Sequence, residues 1–261
     1  MNIVEGALER TPLPLMEDVR VFAWDADHLK RRGIYGFDSR DIRSRSFNLI
    51  RSRLLKLHQK HGWRLFGVVS AAPSVGKSFV ATNLAAALSR SPSLRTYLVD
   101  LDLRRGSIAR NFGAPSDPNV RQYLEGETAS LDDAAFRLAD ERLVVIPTDR
   151  SRAHSAELLA GPRMTQLVDA MRASSPDSIF ICDLPPVFAN DDASIVVSKL
   201  DGFIMIVEDG YTTKKQITET IAILDRSRCA GIVLNHYHGG VLPDTFGYGY
   251  GSGKAYGDYF G

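Results

Sequence analysis

Gly76, Lys77 and Ser78 follow an apolar stretch and precede an amphipathic one, the layout of a strand, a tight loop and a helix. In a phosphate-binding loop of this kind, backbone N–H groups and the helix N-terminus face a polyanion. The lysine reaches the β- and γ-phosphates, and the hydroxyl can ligate Mg²⁺. The full pattern has a glycine well ahead of the lysine, where this chain has Ala71. Taken alone the match is incomplete, and an ordinary helix start is the alternative.

Carboxylates stand at the ends of two other apolar stretches. Asp100 and Asp102 end one of them, with Arg104 close behind, and Asp183 ends another. Because ligands of open α/β sheets bind at the carboxyl ends of the strands, we expect these groups to lie beside Lys77. Mg²⁺ is held through one or two acidic groups together with phosphate oxygens. The combination predicts nucleotide binding, and the alternative for each stretch alone is a strand that ends in solvated charges.

The elements that would position these groups alternate along the chain. Near-continuous apolar stretches predict strands at 64–70, 96–104, 143–147, 178–186, 202–207 and 231–235. Helical spacing predicts helices at 41–58, 79–88, 157–173 and 212–224, with Pro162 interrupting the third, and short helical pieces within 111–140. Apolar strands alternating with helices are typical of an α/β fold, a mostly parallel sheet covered on both faces.

Composition divides the chain into three parts. We expect residues 1–40 to form an irregular leader with one short strand around 19–24. We expect residues 41–240 to form the main domain. Residues 241–261 alternate glycine with tyrosine and contain almost no aliphatic side chains. Such a tail cannot bury enough apolar surface to offset the cost of ordering it, so we expect it to be mobile.

A basic amphipathic helix is predicted at 41–60. Phe47, Ile50, Leu54 and Leu57 share one face, and arginines and lysines occupy much of the rest. Such a helix docks on a partner or on an anionic membrane, or it packs on its own domain with a solvated basic face; the sequence leaves these options open.

Charge and composition limit the class of protein. The net charge of +1 predicts no strong overall field, so we expect no nucleic-acid partner and only local polyanion sites. Cys182 and Cys229 are far apart, which favours free buried thiols in a reducing compartment. No apolar run approaches the roughly 18 residues that span a bilayer, and the start lacks a signal-peptide core. We expect a cytoplasmic protein.

Three motifs together resemble those of the bacterial tyrosine autokinases, the cytoplasmic kinases of capsule and exopolysaccharide export. Residues 70–78 resemble their Walker A motif, 99–104 their Walker A′ motif and 181–186 their Walker B motif. The tyrosine cluster near the C-terminus is the fourth element, and the resemblance covers 47–261. The family often lacks the first glycine of the loop. The related partitioning and septum-positioning ATPases carry a lysine where this chain has Ala72.

The resemblance implies a P-loop kinase that uses ATP and Mg²⁺ to phosphorylate its own C-terminal tyrosines and regulates exopolysaccharide synthesis or export. It implies that Ser78, Asp102 and Asp183 hold the metal. Asp100 is the expected acceptor of the tyrosine proton, although the two Walker A′ aspartates stay interchangeable at this point. The implied catalytic residues are Lys77, Asp100, Asp102, Arg104 and Asp183. The implied nucleotide-binding residues are Ser74, Val75, Gly76, Lys77, Ser78, Phe79 and, at the adenine, Asn235, which is otherwise an ordinary strand end. The implied acceptors are Tyr248, Tyr250, Tyr256 and Tyr259.

The resemblance also implies partners. These are a separate transmembrane polysaccharide co-polymerase that activates the kinase at the inner face of the membrane, and a cognate tyrosine phosphatase. A homo-oligomer is a further option. The family's subunit-contact element, Glu-x-x-Arg-x-x-Arg, here reads Arg45, Asn48 and Arg51, so only its last position agrees. Two alternatives to the kinase remain: a P-loop ATP-binding switch that controls a membrane partner without tyrosine phosphorylation, and a membrane-docked scaffold.

Overall fold

Residues 13–150 and 154–237 are described by the computed structural model. The strands are β1 (Arg20–Phe22), β2 (Leu65–Ser70), β3 (Arg95–Asp100), β4 (Phe136–Leu138), β5 (Leu143–Ile146), β6 (Ser178–Asp183), β7 (Gly202–Glu208) and β8 (Cys229–Asn235). The helices are α1 (Ala26–Arg31), α2 (Arg45–His61), α3 (Lys77–Ser89), α4 (Ile108–Phe112), α5 (Val120–Glu125), α6 (Ser155–Ala160), α7 (Pro162–Ala173), α8 (Asp192–Val197) and α9 (Lys214–Ile223). Short 3-10 turns occur at Ile42–Ser44 and Arg226–Arg228.

The strands form one sheet in the order β1-β4-β5-β3-β6-β2-β7-β8. Neighbouring strands are parallel except for the β4–β5 pair. The predicted α/β fold with a mostly parallel sheet is therefore confirmed. The central strands β3, β6 and β2 are almost wholly buried because helices cover both faces, as the crossover connections of a parallel sheet require.

Two hydrophobic cores lie on the two faces of the sheet. Helices α5 to α9 contribute to one core and helices α1 to α4 to the other. Helix α3 has eleven buried residues out of thirteen, and its apolar positions are spread around the whole circumference. A helix of that composition is stable only when it is enclosed. Its burial fixes the loop that precedes it against the centre of the sheet.

The leader is more regular than the sequence predicts. The short strand expected around 19–24 is present as β1, which pairs in parallel with β4 at the edge of the sheet. Helix α1 was not predicted; Asp25 caps it by accepting a hydrogen bond from the Asp27 N–H. The described part of the leader is therefore part of the sheet and its covering layer, so the expectation of an irregular segment is wrong there.

Two further elements refine the prediction for the middle of the chain. Strand β4 falls in 111–140, where only short helical pieces were expected. The helix predicted over 157–173 is two helices, because Pro162 begins α7 at the position where its missing N–H costs nothing. The predicted tail, 241–261, lies outside the described residues, and the division of the chain into three parts stays a prediction.

Helix α2 is present where the sequence predicts a basic amphipathic helix. Its apolar face packs on its own domain: Phe47 and Leu54 are buried in the core that α3 also lines. Of the alternatives for that face, packing on the same domain is the one found. No helix among the described residues combines the length and the apolar character needed to cross a bilayer.

Candidate nucleotide-binding site

The loop between β2 and α3 has the backbone of a phosphate-binding loop. Ser74 and Gly76 have φ values of 65° and 91°, in the left-handed region, and α3 begins at the next residue, Lys77. Ala71, at the position of the missing glycine, has no positive φ and is 1% exposed in the core. That position therefore accommodates a side chain, and the incomplete motif does not change the loop.

Gly76 is needed because another strand end packs against it. A Cβ at this position would lie 2.1 Å from Asn235 Nδ2, which already donates to the Val75 carbonyl at 2.9 Å. The end of β8 therefore meets the loop, and Asn235 lies beside the nucleotide-binding residues predicted from the sequence. Phe79 points elsewhere, since its ring packs edge-on against Phe47 with centroids 5.8 Å apart.

The predicted carboxylates converge on the buried lysine. Asp100 and Asp183 are partners in register on the neighbouring strands β3 and β6. Lys77 is only 7% exposed, and its positive charge lowers the pKa of both Asp102 and Asp183, against the effect of burial. The first turn of α3 and the ends of β3 and β6 thus form one cluster of a cation and three carboxylates.

Asp183 is a buried carboxylate without a hydrogen-bond partner among the described residues. Both of its oxygens lack one. Burial raises the pKa of Asp183 to about 7, and the nearby Asp102 adds to the increase. Lys77 and the Ser78 hydroxyl, which approaches without completing a hydrogen bond, act in the opposite direction. Two buried carboxylate oxygens without partners lower the stability of the fold unless a ligand bonds to them.

Asp100 and Asp102 have different surroundings. Asp100 is fully buried and accepts backbone N–H bonds from Ser107 at 3.0 Å, Ile108 at 3.2 Å and Asp102 at 3.3 Å, so it holds the turn that leads into α4. Asp102 accepts one bond through Oδ1, from the Arg105 N–H at 3.1 Å. Burial raises the pKa of both carboxyls, and Asp183 adds to the effect at Asp100.

Arg104 is held by a pair of residues that the sequence did not single out. Its Nε donates to Ser155 Oγ at 2.8 Å and to Asp192 Oδ2 at 3.3 Å, and the Ser155 hydroxyl donates to the same Asp192 oxygen at 2.6 Å. Asp192 is wholly buried, whereas the Arg104 side chain is 45% exposed. The cluster ties the turn after β3 to the starts of α6 and α8.

The residues present fit a magnesium ion that is shared with phosphates. Asp183 offers two unpaired oxygens, and Ser78 offers a hydroxyl beside it. The described residues contain no group of three or more His, Cys, Asp or Glu side chains that could hold a metal by themselves. That agrees with Mg²⁺, which is usually bound through one or two carboxylates and completes its shell with waters and substrate phosphates.

The structure thus brings together Lys77, Ser78, Asp100, Asp102 and Asp183, with Arg104 and Asn235 beside them. The predicted acceptors Tyr248, Tyr250, Tyr256 and Tyr259 lie outside the described residues. Ser155 and Asp192 were missed. No local pattern could have shown them, because they lie 51 and 88 residues from Arg104 in sequence.

Sequence and structure comparisons agree on one group of relatives. "Putative tyrosine-protein kinase EpsB" of Ralstonia nicotianae is 33% identical over 216 residues, which cover 82% of this chain and 27% of that protein. "Tyrosine-protein kinase CpsD" of Streptococcus agalactiae is 26% identical over 207 residues, covering 77% of this chain and 86% of that protein. The kinase domain of the Escherichia coli tyrosine kinase ETK superposes with a TM-score of 0.65 at 25% identity, covering 72% of this chain and 74% of that domain.

The chain belongs to the bacterial tyrosine autokinase family. It spans about a quarter of the length of the EpsB relative. No model of a protein family matches it. The septum site-determining protein MinD of Pyrococcus horikoshii, in complex with Mg-ADP, superposes with a TM-score of 0.56 at 20% identity, covering 67% of this chain and 71% of that one. That likeness shows the fold alone.

Proposed function

We propose that this chain is an ATP-dependent protein-tyrosine kinase that phosphorylates tyrosines of its own C-terminal tail and regulates exopolysaccharide or capsule synthesis or export. The observation that carries the proposal is the convergence of Lys77 with the carboxylates of Asp102 and Asp183 at the loop between β2 and α3. The names of the relatives EpsB and CpsD, both tyrosine-protein kinases, support the same activity.

ATP is the proposed phosphoryl donor. The loop residues Ser74, Val75 and Gly76 and the first turn of α3, Lys77 to Phe79, present backbone N–H groups to its phosphates. Asn235 donates through Nδ2 to the loop, which leaves its Oδ1 to accept from the adenine amino group. Ser78 and Asp183 would hold Mg²⁺, which neutralises charge on the β- and γ-phosphates.

In the proposed reaction the phenolic oxygen of a tail tyrosine forms a bond to the γ-phosphorus. The bond to the β–γ bridging oxygen breaks, and ADP leaves with that electron pair. The tyrosine proton passes to a carboxylate, since a phenol with a pKa near 10 is a weak nucleophile at neutral pH. We assign that role to Asp102 and not to Asp100, because three backbone bonds and complete burial occupy Asp100. The acceptors are Tyr248, Tyr250, Tyr256 and Tyr259.

The partners and the location are proposed on the family resemblance. They are a transmembrane polysaccharide co-polymerase as activator, a tyrosine phosphatase as antagonist, and the inner face of the cell membrane. In the subunit-contact element, Arg51 donates to the Ala87 carbonyl of α3, and Asn48 accepts from Arg90, which follows α3. Because both side chains are engaged within the same chain, a ring of the family type has no support here.

The test is incubation of the purified full chain with γ-labelled ATP and Mg²⁺, alone and with its membrane partner. We expect label on protein tyrosine, its loss in Lys77→Met, and its loss when the four tail tyrosines are changed to phenylalanine. Free phosphate released from an unlabelled protein would overturn the kinase in favour of an ATP-binding switch.

Asp102→Asn separates the two roles of the aspartates. We expect it to bind Mg-ATP as the unmodified protein does and to transfer no phosphate. A loss of the magnesium dependence of binding in this variant would instead make Asp102 a metal ligand.

A further inference from the structure

The outward face of α2 carries a stripe that the proposed kinase chemistry does not use. Leu49, Arg53, Lys56 and Lys60 recur on it at helical spacing, and Ile42 precedes them in the 3-10 turn that leads into α2. All five are exposed, and we call them the outer stripe. Ile42 and Leu49 are 58% and 66% exposed, among the largest exposures of apolar side chains in the described chain. Single exposed aliphatic residues are ordinary on protein surfaces, so the significance lies in their position among cations.

The inner face of α2 fixes the direction of this stripe. Phe47 and Leu54 are buried in the core, and Arg51 donates to the Ala87 carbonyl of α3 at 3.2 Å. Asn48 bonds to Arg90, which follows α3. The helix therefore cannot turn over to hide the outer stripe without giving up its contacts with α3.

The charge of α2 is one-sided. The helix holds five lysines and arginines and no aspartate or glutamate, in a chain whose net charge is only +1. Arg53 donates through Nε to the Ala230 carbonyl at 3.3 Å, a neutral acceptor that leaves its charge uncompensated. The outward side of α2, where Leu49 lies, is therefore locally positive, and Ile42 adds a second aliphatic side chain in the turn that precedes it.

We propose that the outer stripe docks on an anionic lipid bilayer. Cations on the polar flank of a helix attract acidic headgroups, and aliphatic side chains between them enter the interface of headgroups and acyl chains. A nucleic acid would use the cations but not Ile42 and Leu49. A protein interface of ordinary size would need a larger apolar centre than two separated side chains provide. Docking would hold α3 and the nucleotide site at a fixed height over the membrane.

The experiment is sedimentation of the full chain with vesicles in about 0.15 M salt. One set of vesicles is phosphatidylcholine alone and the other contains phosphatidylglycerol. We expect binding only to the second set and its loss at high salt. Soluble glycerol phosphate should not compete, because it has no acyl interface.

Two variants remove the outer stripe in different ways. Leu49→Asn and the double variant Lys56→Glu with Lys60→Glu should each weaken vesicle binding about tenfold or more. Matched controls lie on α9, which covers the opposite face of the sheet: Ile223→Asn, and Lys214→Glu with Lys215→Glu. These controls should bind vesicles as the unmodified protein does.

Equal binding to neutral vesicles, or binding by the α2 variants at the unmodified level, would overturn the proposal. The proposal would also be overturned if the protein bound no vesicles but associated with itself or bound DNA, and if the α2 variants abolished that association or DNA binding. Thermal unfolding shows that each variant is folded. Vesicle binding needs no ATP, so its failure is distinct from a failure of the proposed kinase activity.

Discussion

The site contains three aspartates, Asp100, Asp102 and Asp183, whose hydrogen-bond surroundings differ. Asp100 holds the turn into α4 through backbone bonds, and Asp102 lies near the charge of Lys77 and accepts from the Arg105 N–H. Asp183 has no hydrogen-bond partner among the described residues. Substitution should lower the free energy of unfolding where the carboxylate stabilises the fold, as at Asp100. It should raise the free energy of unfolding where a buried carboxylate has no partner, as at Asp183. These different surroundings predict separate roles for the three aspartates, which could not be assigned from their positions in the sequence.

Asp183→Asn should stabilise the nucleotide-free, metal-free protein. Because the folded-state pKa of about 7 lies above the ordinary 3.8, the folded protein binds this proton more tightly than the unfolded chain. The contribution of the protonated Asp183 carboxyl to the free energy of unfolding is fully present below about pH 4. It is lost as the pH rises to about 7. We expect the variant to gain roughly 2–4 kcal/mol in urea unfolding at pH 8 and less at pH 5. It should also lose magnesium-dependent nucleotide binding.

Asp100→Ala is the comparison for that measurement. It leaves the N–H groups of Ser107 and Ile108 without their acceptor, so we expect a loss of about 1–3 kcal/mol in the free energy of unfolding. Equal effects of the two substitutions would contradict the separate roles.

Asp192→Asn should lower phosphoryl transfer without weakening nucleotide binding. The substitution removes the charge that holds Arg104 Nε and the Ser155 hydroxyl, so Arg104 would no longer be fixed beside the Walker A′ turn. We expect kcat to fall about tenfold or more while the Kd for ADP stays unchanged, by analogy with other groups that position a catalytic cation. Asp191→Asn, one residue away and exposed, is the matched control. Parallel losses of kcat and ADP affinity would indicate a general structural role.

The strands and helices were predictable where one physical signal dominated. β2, β3, β5, β6, β7 and β8 follow from apolar stretches, and α3 from the loop that precedes it. β4 and α1, of three and six residues, were missed, and β1, also of three residues, was found, so elements this short are predicted unevenly from periodicity. Ser155 and Asp192 were missed because their role depends on the meeting of two loops. Local signals thus predicted most of the sheet and the carboxylates that meet Lys77 at its edge, and long-range contacts supplied the rest.

Asn235 joins β8 to the loop, and its substitution tests whether that contact also recognises adenine. Removal of the side chain in Asn235→Ala frees the Val75 carbonyl and takes away the proposed acceptor for the adenine amino group. We expect affinity for ATP to fall more than affinity for GTP, so that the preference for ATP declines about tenfold. Competition binding with both nucleotides measures it. An equal fall for ATP and GTP would leave Asn235 a support for the loop only.

In the molecule as a whole, the proposed nucleotide site and the outer stripe are joined through one hydrophobic core. α2 and α3 share a core, and α3 begins at Lys77. The tail that carries the proposed acceptors follows β8, the strand whose end touches the loop. The segment that leads to the proposed acceptors thus begins beside the loop, and phosphate transfer within one subunit and transfer between subunits are both open to it.

The most direct test of the kinase is mass-spectrometric mapping of phosphotyrosine on the full chain. The unmodified protein and Lys77→Met are each incubated with ATP and the membrane partner, once with Mg²⁺ and once with a chelator. We expect phosphate on Tyr248, Tyr250, Tyr256 or Tyr259 of the unmodified protein with Mg²⁺ only, and none on Lys77→Met. A tail without phosphate in the presence of the membrane partner, ATP and Mg²⁺ would contradict it, as would equal phosphorylation of Lys77→Met.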